Sequence, residues 1–188
     1  TPGWFITDGN GDGFLEGSPL ADTLVGGPGN DYLAGGAGSD TYLFALGDGI
    51  DTIQDNAFGL FGGGGGEGGG GNSPIDTNTI VFGPDITPAG VDLAWDPQRG
   101  SLLLTYGTQG DQIYLSNFDP YAAVNSLAIQ AINFADGTTW DTVAILDRTP
   151  GLVLSDTIGG EYIQGSDLAD TLSGPHGNNT LDGGNGND

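Results

Sequence analysis

Counted from Gly17, the chain falls into blocks of nine: GSPLADTLV at 17–25, GGPGNDYLA at 26–34 and GGAGSDTYL at 35–43. The sixth place of each block holds Asp22, Asp31 and Asp40, and the eighth holds Leu24, Leu33 and Tyr42. The block before, DGNGDGFLE at 8–16, keeps Gly11 and Leu15 in step but has Gly13 at the sixth place. The pattern returns as DTIGGEYIQ at 156–164, GSDLADTLS at 165–173, GPHGNNTLD at 174–182 and GGNGND at 183–188. Its sixth places hold Glu161, Asp170, Asn179 and Asp188, and its eighth places Ile163, Leu172 and Leu181. A fixed short period points to a solenoid in which every block is one structural unit. Glycines at the front of each block allow a tight turn with positive φ. The three residues at the back have room only for a short strand, with the eighth place pointing inward.

The period also decides how the composition is read. Gly and Pro, 38 and 10 of 188 residues, would suggest disorder if they were scattered. Lys plus Arg number 2 (Arg99 and Arg148) against 25 Asp plus Glu, for a net charge of −23. That balance excludes nucleic acid, which needs a basic footprint, and an anionic membrane would repel the chain. Of the acids, 22 are Asp and 3 are Glu. This bias favours turns and metal loops, where the short side chain folds back on its own backbone. There is no Cys, so a metal is the natural alternative staple. No apolar run approaches the length of a membrane span. The start lacks Met and a signal-peptide pattern, and the end stops inside a block, so both read as cuts in a longer polypeptide.

The blocks follow G-G-x-G-x-D-x-U-x, where U is a large apolar residue. In this they resemble the haemolysin-type calcium-binding nonapeptide repeats of RTX (repeats-in-toxin) proteins. The resemblance implies a parallel β-roll, a calcium-binding β-helix with two blocks per coil and equivalent loops eighteen residues apart. Asp22 and Asp40 then face each other across adjacent coils, as do Asp170 and Asp188. Two bare carboxylates at a strand spacing of about 4.8 Å repel by about 1 kcal/mol in water. A Ca²⁺ between them reverses the sign. It takes six to eight oxygens at about 2.3–2.6 Å, from carboxylates and from loop carbonyls such as those around Gly27, Gly29, Gly36, Gly38, Gly184 and Gly186. Mg²⁺ is stricter in geometry, and Zn²⁺ would want His or Cys. On this reading Asp22/Asp40 and Asp170/Asp188 are the strongest pairs. Asp31 faces Gly13 and Gly49, with Asp12 or Asp51 in reach, and Glu161/Asn179 is weak for want of a charge. An ordinary Asx-turn is the alternative role for each of these residues. Asp8, Asn10, Asp12 and Gly13 also imitate the start of an EF-hand loop, but Pro19 stands where its final Glu belongs.

Tyr42 and Phe44 alternate inward at the end of the first cluster, and GDGIDTI restarts the pattern, an aromatic exit common to RTX rolls. GGGGGEGGGG at 62–71 reads as a flexible loop; a phosphate cradle would need a Lys and a strand-to-helix context. Beyond it, NTIVF, SLLLTY and DQIYLSNF read as short strands, and INFADGTTW adds a strand and an Asp-Gly turn. This stretch resembles the calcium-binding-related segment that follows the roll in many RTX proteins, where it forms antiparallel β-structure. The expected fold is therefore all-β: parallel β-roll coils at both ends flanking an antiparallel β-sandwich-like domain. The divisions fall at 1–55 (first roll), 56–74 (glycine-rich loop), 75–150 (antiparallel domain) and 151–188 (second roll, truncated). Whether the two rolls join is open.

Trp95, Phe118, Tyr121 and Trp140 are either a sugar platform or core. His176 lies at a variable repeat position and reads as a surface residue. No nucleophile, base and orienter set and no HExxH occurs, so the segment is not expected to be an enzyme. Asp96-Pro97 and Asp119-Pro120 are candidate self-cleavage bonds by analogy with some RTX relatives. The resemblance implies a secreted bacterial module that leaves the cell unfolded by type I secretion and folds on calcium outside, as a monomer when taken alone. The alternatives are an adhesion module gripping a glycan or a protein partner, and the non-catalytic tail of a secreted hydrolase or toxin.

Overall fold

A computed structural model describes residues 2–55, 76–156 and 159–188, and the glycine-rich stretch expected to form a loop lies outside them. The first roll runs through β1 (Phe5–Thr7), β2 (Phe14–Glu16), β3 (Thr23–Val25), β4 (Tyr32–Ala34), β5 (Thr41–Phe44) and β6 (Ile50–Ile53). The three-residue strands β3 and β4 each bury only their middle residue, Leu24 and Leu33, the eighth place of their blocks. Strands alternate between two sheets, and pairing is parallel at the coil spacing: Phe5 with Thr23, Thr23 with Thr41, Phe14 with Tyr32. One coil is longer. Tyr32 pairs with Thr52 because GDGIDTI carries two extra residues, so the loop glycine Gly29 meets Gly49 in an isolated bridge.

The middle segment supplies β7 (Thr79–Phe82), β8 (Val91–Asp96), β9 (Ser101–Tyr106), β10 (Asp111–Ser116), a short helix α1 (Ala123–Ser126), β11 (Ala131–Asn133), β12 (Thr139–Asp141) and α2 (Thr142–Leu146). Antiparallel pairing was expected here, and it is present between β8 and β9, β9 and β10, and β11 and β12. However, β7 continues the first sheet parallel to β5, β11 follows parallel to β7, and β10 continues the second sheet parallel to β6. The result is two six-stranded sheets, β1-β3-β5-β7-β11-β12 and β2-β4-β6-β10-β9-β8. Burial explains why the middle segment docks this way. The inward stripe Leu15, Leu24, Leu33 and Ile53 passes through Tyr42 into Phe44, Phe82, Tyr106, Phe134 and Trp140 without a break. The division expected near residue 75 therefore separates stretches of chain, not cores.

The second roll holds β13 (Pro150–Ser155), β14 (Tyr162–Gln164), β15 (Ala169–Ser173) and β16 (Thr180–Asp182), paired in parallel as β13-β15 and β14-β16. These sheets do not join the larger pair. Instead Leu168 buries itself in the main core, the Asp167 N–H donates to Pro120 O at 2.7 Å, and Asp167 Oδ2 accepts the Ala123 N–H at 3.0 Å. Phe118 and Trp140 are buried while Tyr121 is exposed, so the four aromatics proposed as a sugar platform do not share one surface. Among the described residues no helix is long and apolar enough to cross a membrane.

Candidate metal centre

The loops of successive coils press directly on one another. A Cβ on Gly38, whose φ is +112°, would lie 2.7 Å from the carbonyl carbon of Leu20 one coil back. Gly29 has an ordinary negative-side backbone and is required for closeness alone, because a Cβ there would strike the Gly11 carbonyl. Gly27, Gly36, Gly184 and Gly186 likewise approach the carbonyls of Gly9, Ser18, Ser166 and Leu168. The second- and fourth-place glycines thus let each loop stack directly on the carbonyl oxygens of the coil before it.

Those acids are buried: Asp22, Asp31, Asp40, Asp51 and Asp170 are at most 4% exposed. They form a ladder of one design. The Oδ1 of each accepts the main-chain N–H of the coil before it: Gly13 to Asp31 at 2.7 Å, Asp22 to Asp40 at 2.7 Å, Asp31 to Asp51 at 2.9 Å and Asp170 to Asp188 at 3.0 Å. Trp4 and Leu152 donate in the same way to Asp22 and Asp170. The pairs Asp22/Asp40 and Asp170/Asp188 are neighbours as the spacing predicts, but they meet carboxylate to amide. Asp31 has Gly13 on one side as expected. On the other side it has Asp51, not Gly49, owing to the longer coil.

The second carboxylate oxygens separate the acids into two kinds. Asp22 Oδ2 accepts the Ser18 N–H and Asp170 Oδ2 the Ser166 N–H, and both serine hydroxyls add a further bond at 3.0 Å. Their blocks, GSPLAD and GSDLAD, carry Ser at the second place, where the blocks of Asp31, Asp40 and Asp188 have Gly. Spacing ranked the pairs Asp22/Asp40 and Asp170/Asp188 highest; in each, one member, Asp22 or Asp170, already has both carboxylate oxygens hydrogen-bonded. The Oδ2 atoms of Asp31, Asp40 and Asp51 are buried and have no hydrogen-bond partner among the described residues. An orphaned buried carboxylate oxygen is costly. What it can accept is a proton or a cation. Neither arginine reaches it: Arg99 lies over Tyr114 and Arg148 over Trp140.

Of the other candidates, Asp12 is engaged at the surface, where its Oδ1 accepts the Asn30 N–H at 2.8 Å. The Glu161 N–H donates to Asn179 Oδ1 at 3.0 Å. Asp188, Gly184 and Gly186 sit at the exposed final loop. Among the described residues no three His, Cys, Asp or Glu side chains converge, so a cation in these loops would draw most of its ligands from backbone carbonyls. That donor set, all oxygen and only partly charged, suits a large hard cation.

Several members of the ladder escaped the sequence reading. Asn78 Oδ1 accepts the Asp40 N–H at 2.8 Å, and Gln130 Oε1 accepts the Asn78 N–H at 2.8 Å. Asp111 accepts from Gly47 and Gly49. Asp55 Oδ2 accepts a hydrogen bond from the Tyr42 hydroxyl at 2.6 Å, while that hydroxyl accepts the Gly35 N–H. The signal was present: NTIVF at 78–82 and QAINF at 130–134 copy the back half of DTYLF at 40–44 without its glycines.

Burial pushes the Asp40 carboxyl up to about 6, helped by the charge of Asp22. It pushes Asp51 up to about 7, with Asp31 adding, and Asp55 up to about 7. Between the unfolded value near ~4 and these folded values, the folded chain holds more protons than the unfolded one. Without a divalent cation, stability is therefore full below that window and falls as pH rises through about 6 to 7. Thermal melting in metal-stripped buffer should give a higher midpoint at pH 5 than at pH 8. A midpoint that rises with pH would contradict this placement of the acids.

Residues 7–42, 16–53 and 156–188 match the RTX calcium-binding nonapeptide repeat (4 copies), and residues 102–143 match the Haemolysin-type calcium binding protein related domain. No curated protein matches the chain. The repeats match where the glycine loops stack, and the related domain matches across the strands that carry those two sheets onward. The chain belongs to the RTX calcium-binding repeat proteins, and Ca²⁺ is the ion its repeats bind.

Proposed function

We propose that calcium ions sit against the Oδ2 atoms of Asp31, Asp40 and Asp51, and that binding them drives the folding of a secreted segment outside the cell. The observation that carries this reading is the set of three buried oxygens without a partner, in loops built from carbonyls. When bound, calcium supplies the positive charge that a chain of −23 lacks. The protein's own residues do the rest. Each Oδ1 is held by an amide of the neighbouring coil, which fixes the carboxylate plane. The glycines at 27, 29, 36 and 38 admit the close approach that lines up the carbonyls. Asp188, with Gly184 and Gly186, offers the same arrangement in the second roll, more open to water.

RTX repeats are generally non-catalytic, and the proposed role needs no catalysis. RTX repeat proteins are typically exported by type I secretion. Export of this chain in an unfolded state fits its self-repulsion in a calcium-poor compartment and its lack of Cys. Calorimetric titration with calcium tests the assignment. Asp40→Asn should bind one calcium ion fewer than the parent, with the remaining sites retained. An unchanged stoichiometry would remove Asp40 from the metal shell and with it the reading built on orphaned oxygens.

A further inference from the structure

The ladder of sixth-place side chains is not made of acids throughout. Asn179 occupies a rung in the second roll, and Asn78 and Gln130 occupy the two rungs after Asp40 in the first sheet. In each, the carbonyl oxygen accepts the amide of the preceding coil, as Oδ1 does in the aspartates. The difference lies at the other terminal atom. Asn179 Nδ2 lies 2.7 Å from where a Cβ of Gly174 would stand, and Asp170 Oδ2 lies 2.5 Å from the same point on Gly165. Asp31 over Gly26 and Asp40 over Gly35 repeat that relation between the first and sixth places. The nitrogen of Asn179 is thus where the second carboxylate oxygen lies elsewhere, and it is a donor. It donates to His176 O at 2.6 Å and to Asp156 Oδ2 at 3.0 Å, the latter on a buried carboxylate that also takes the His176 N–H at 3.2 Å. Asn78 Nδ2 donates to Ala128 O at 3.2 Å, and Gln130 Nε2 to Leu127 O at 2.9 Å.

We infer that these three side-chain amides take the place of calcium in their rungs: each NH₂ group supplies locally the positive charge that draws carbonyl or carboxylate oxygens together. This rests on the proposal that cations sit at the Oδ2 atoms of the aspartate rungs. An amide joins an oxygen acceptor and a hydrogen-bond donor in one planar group, so it satisfies both the preceding coil and its own loop without a metal. An aspartate at the same place satisfies only the first. One atom, oxygen or nitrogen, then decides whether a rung needs calcium. The roll contains both kinds, and the amide rungs are not calcium sites.

Asn179→Asp tests this directly. The substitution would set a carboxylate oxygen beside the His176 carbonyl and the Asp156 carboxylate, whose Oδ1 already faces His176 Nδ1 at 3.3 Å. Calorimetry with calcium should count one ion more than in the parent. In chelator the variant should melt below the parent, and calcium should close the gap. Asn78→Asp is the second variant, in a fully buried rung, and should likewise lower the melting point in chelator and recover with calcium. No added ion in Asn179→Asp, or a loss of stability in either variant that calcium does not restore, would overturn the inference. If the parent chain itself binds no calcium, the earlier proposal fails instead, and that is read from the parent titration alone.

Discussion

Stripping calcium from the chain should abolish most of the β-signal of residues 5–53, and returning calcium, but not magnesium, should restore it. Two opposing terms set the size of the effect. Three buried carboxylates without counter-charge, in a chain of −23, weigh against the coils. A site with a Kd of ~0.1 mM in ~1 mM calcium contributes about 1.4 kcal/mol, so three contribute about 4 kcal/mol. Net stabilities of domains are about 5–15 kcal/mol, so this term decides whether the coils form. Their apolar core gives little reserve, because each short strand such as β3 or β4 buries a single central side chain. Far-UV circular dichroism with hydrogen exchange reads the outcome. Protection of β3 to β6 that persists in chelator would contradict it.

The second large effect concerns a glycine. Gly11 and Gly38 occupy the same place in their blocks and have nearly the same φ, +105° and +112°. Among the described residues, a Cβ on Gly11 meets nothing within 4 Å. A Cβ on Gly38 would lie 2.7 Å from the Leu20 carbonyl carbon and 2.8 Å from its oxygen. Gly11→Ala should therefore cost only the backbone term, about 1–2 kcal/mol. Gly38→Ala adds the displacement of one coil from the next, for a total of about 3–5 kcal/mol, and should weaken calcium binding because the same carbonyls move. Paired denaturation curves in saturating calcium give the difference. Equal losses would mean that the loops do not stack as closely as the structure has them.

The sequence made the coils legible because the rule that builds them is local. Nine residues specify a turn, a strand and an inward side chain, and the eighteen-residue pairing of Thr23 with Thr41 follows. The route of the middle segment was harder to see. SLLLTY and DQIYLSNF announce antiparallel strands, which form, but nothing short-range tells β7 to lie parallel to β5 across a gap in the pattern. That pairing is set by Phe44, Phe82 and Tyr106 packing together, with ring centroids 5.1 to 6.4 Å apart. At the candidate site, spacing brought Asp22 beside Asp40, but it does not show that Asp22 Oδ2 is already hydrogen-bonded while Asp40 Oδ2 is not. The serine at the second place of GSPLAD turns a carboxylate into a closed hydrogen-bonded turn, a distinction of one hydroxyl and one amide. Asn78 and Gln130 stand in stretches without the repeat's glycines, whereas the rung is defined by a polar oxygen followed by an inward apolar residue.

A crystal structure grown in calcium, with anomalous scattering used to locate the ions, would show whether calcium holds these loops together. Peaks should lie about 2.3–2.6 Å from the Oδ2 atoms of Asp31, Asp40 and Asp51, with loop carbonyls completing each shell. Folded coils whose three oxygens have no ion within that distance would contradict this placement of the ions.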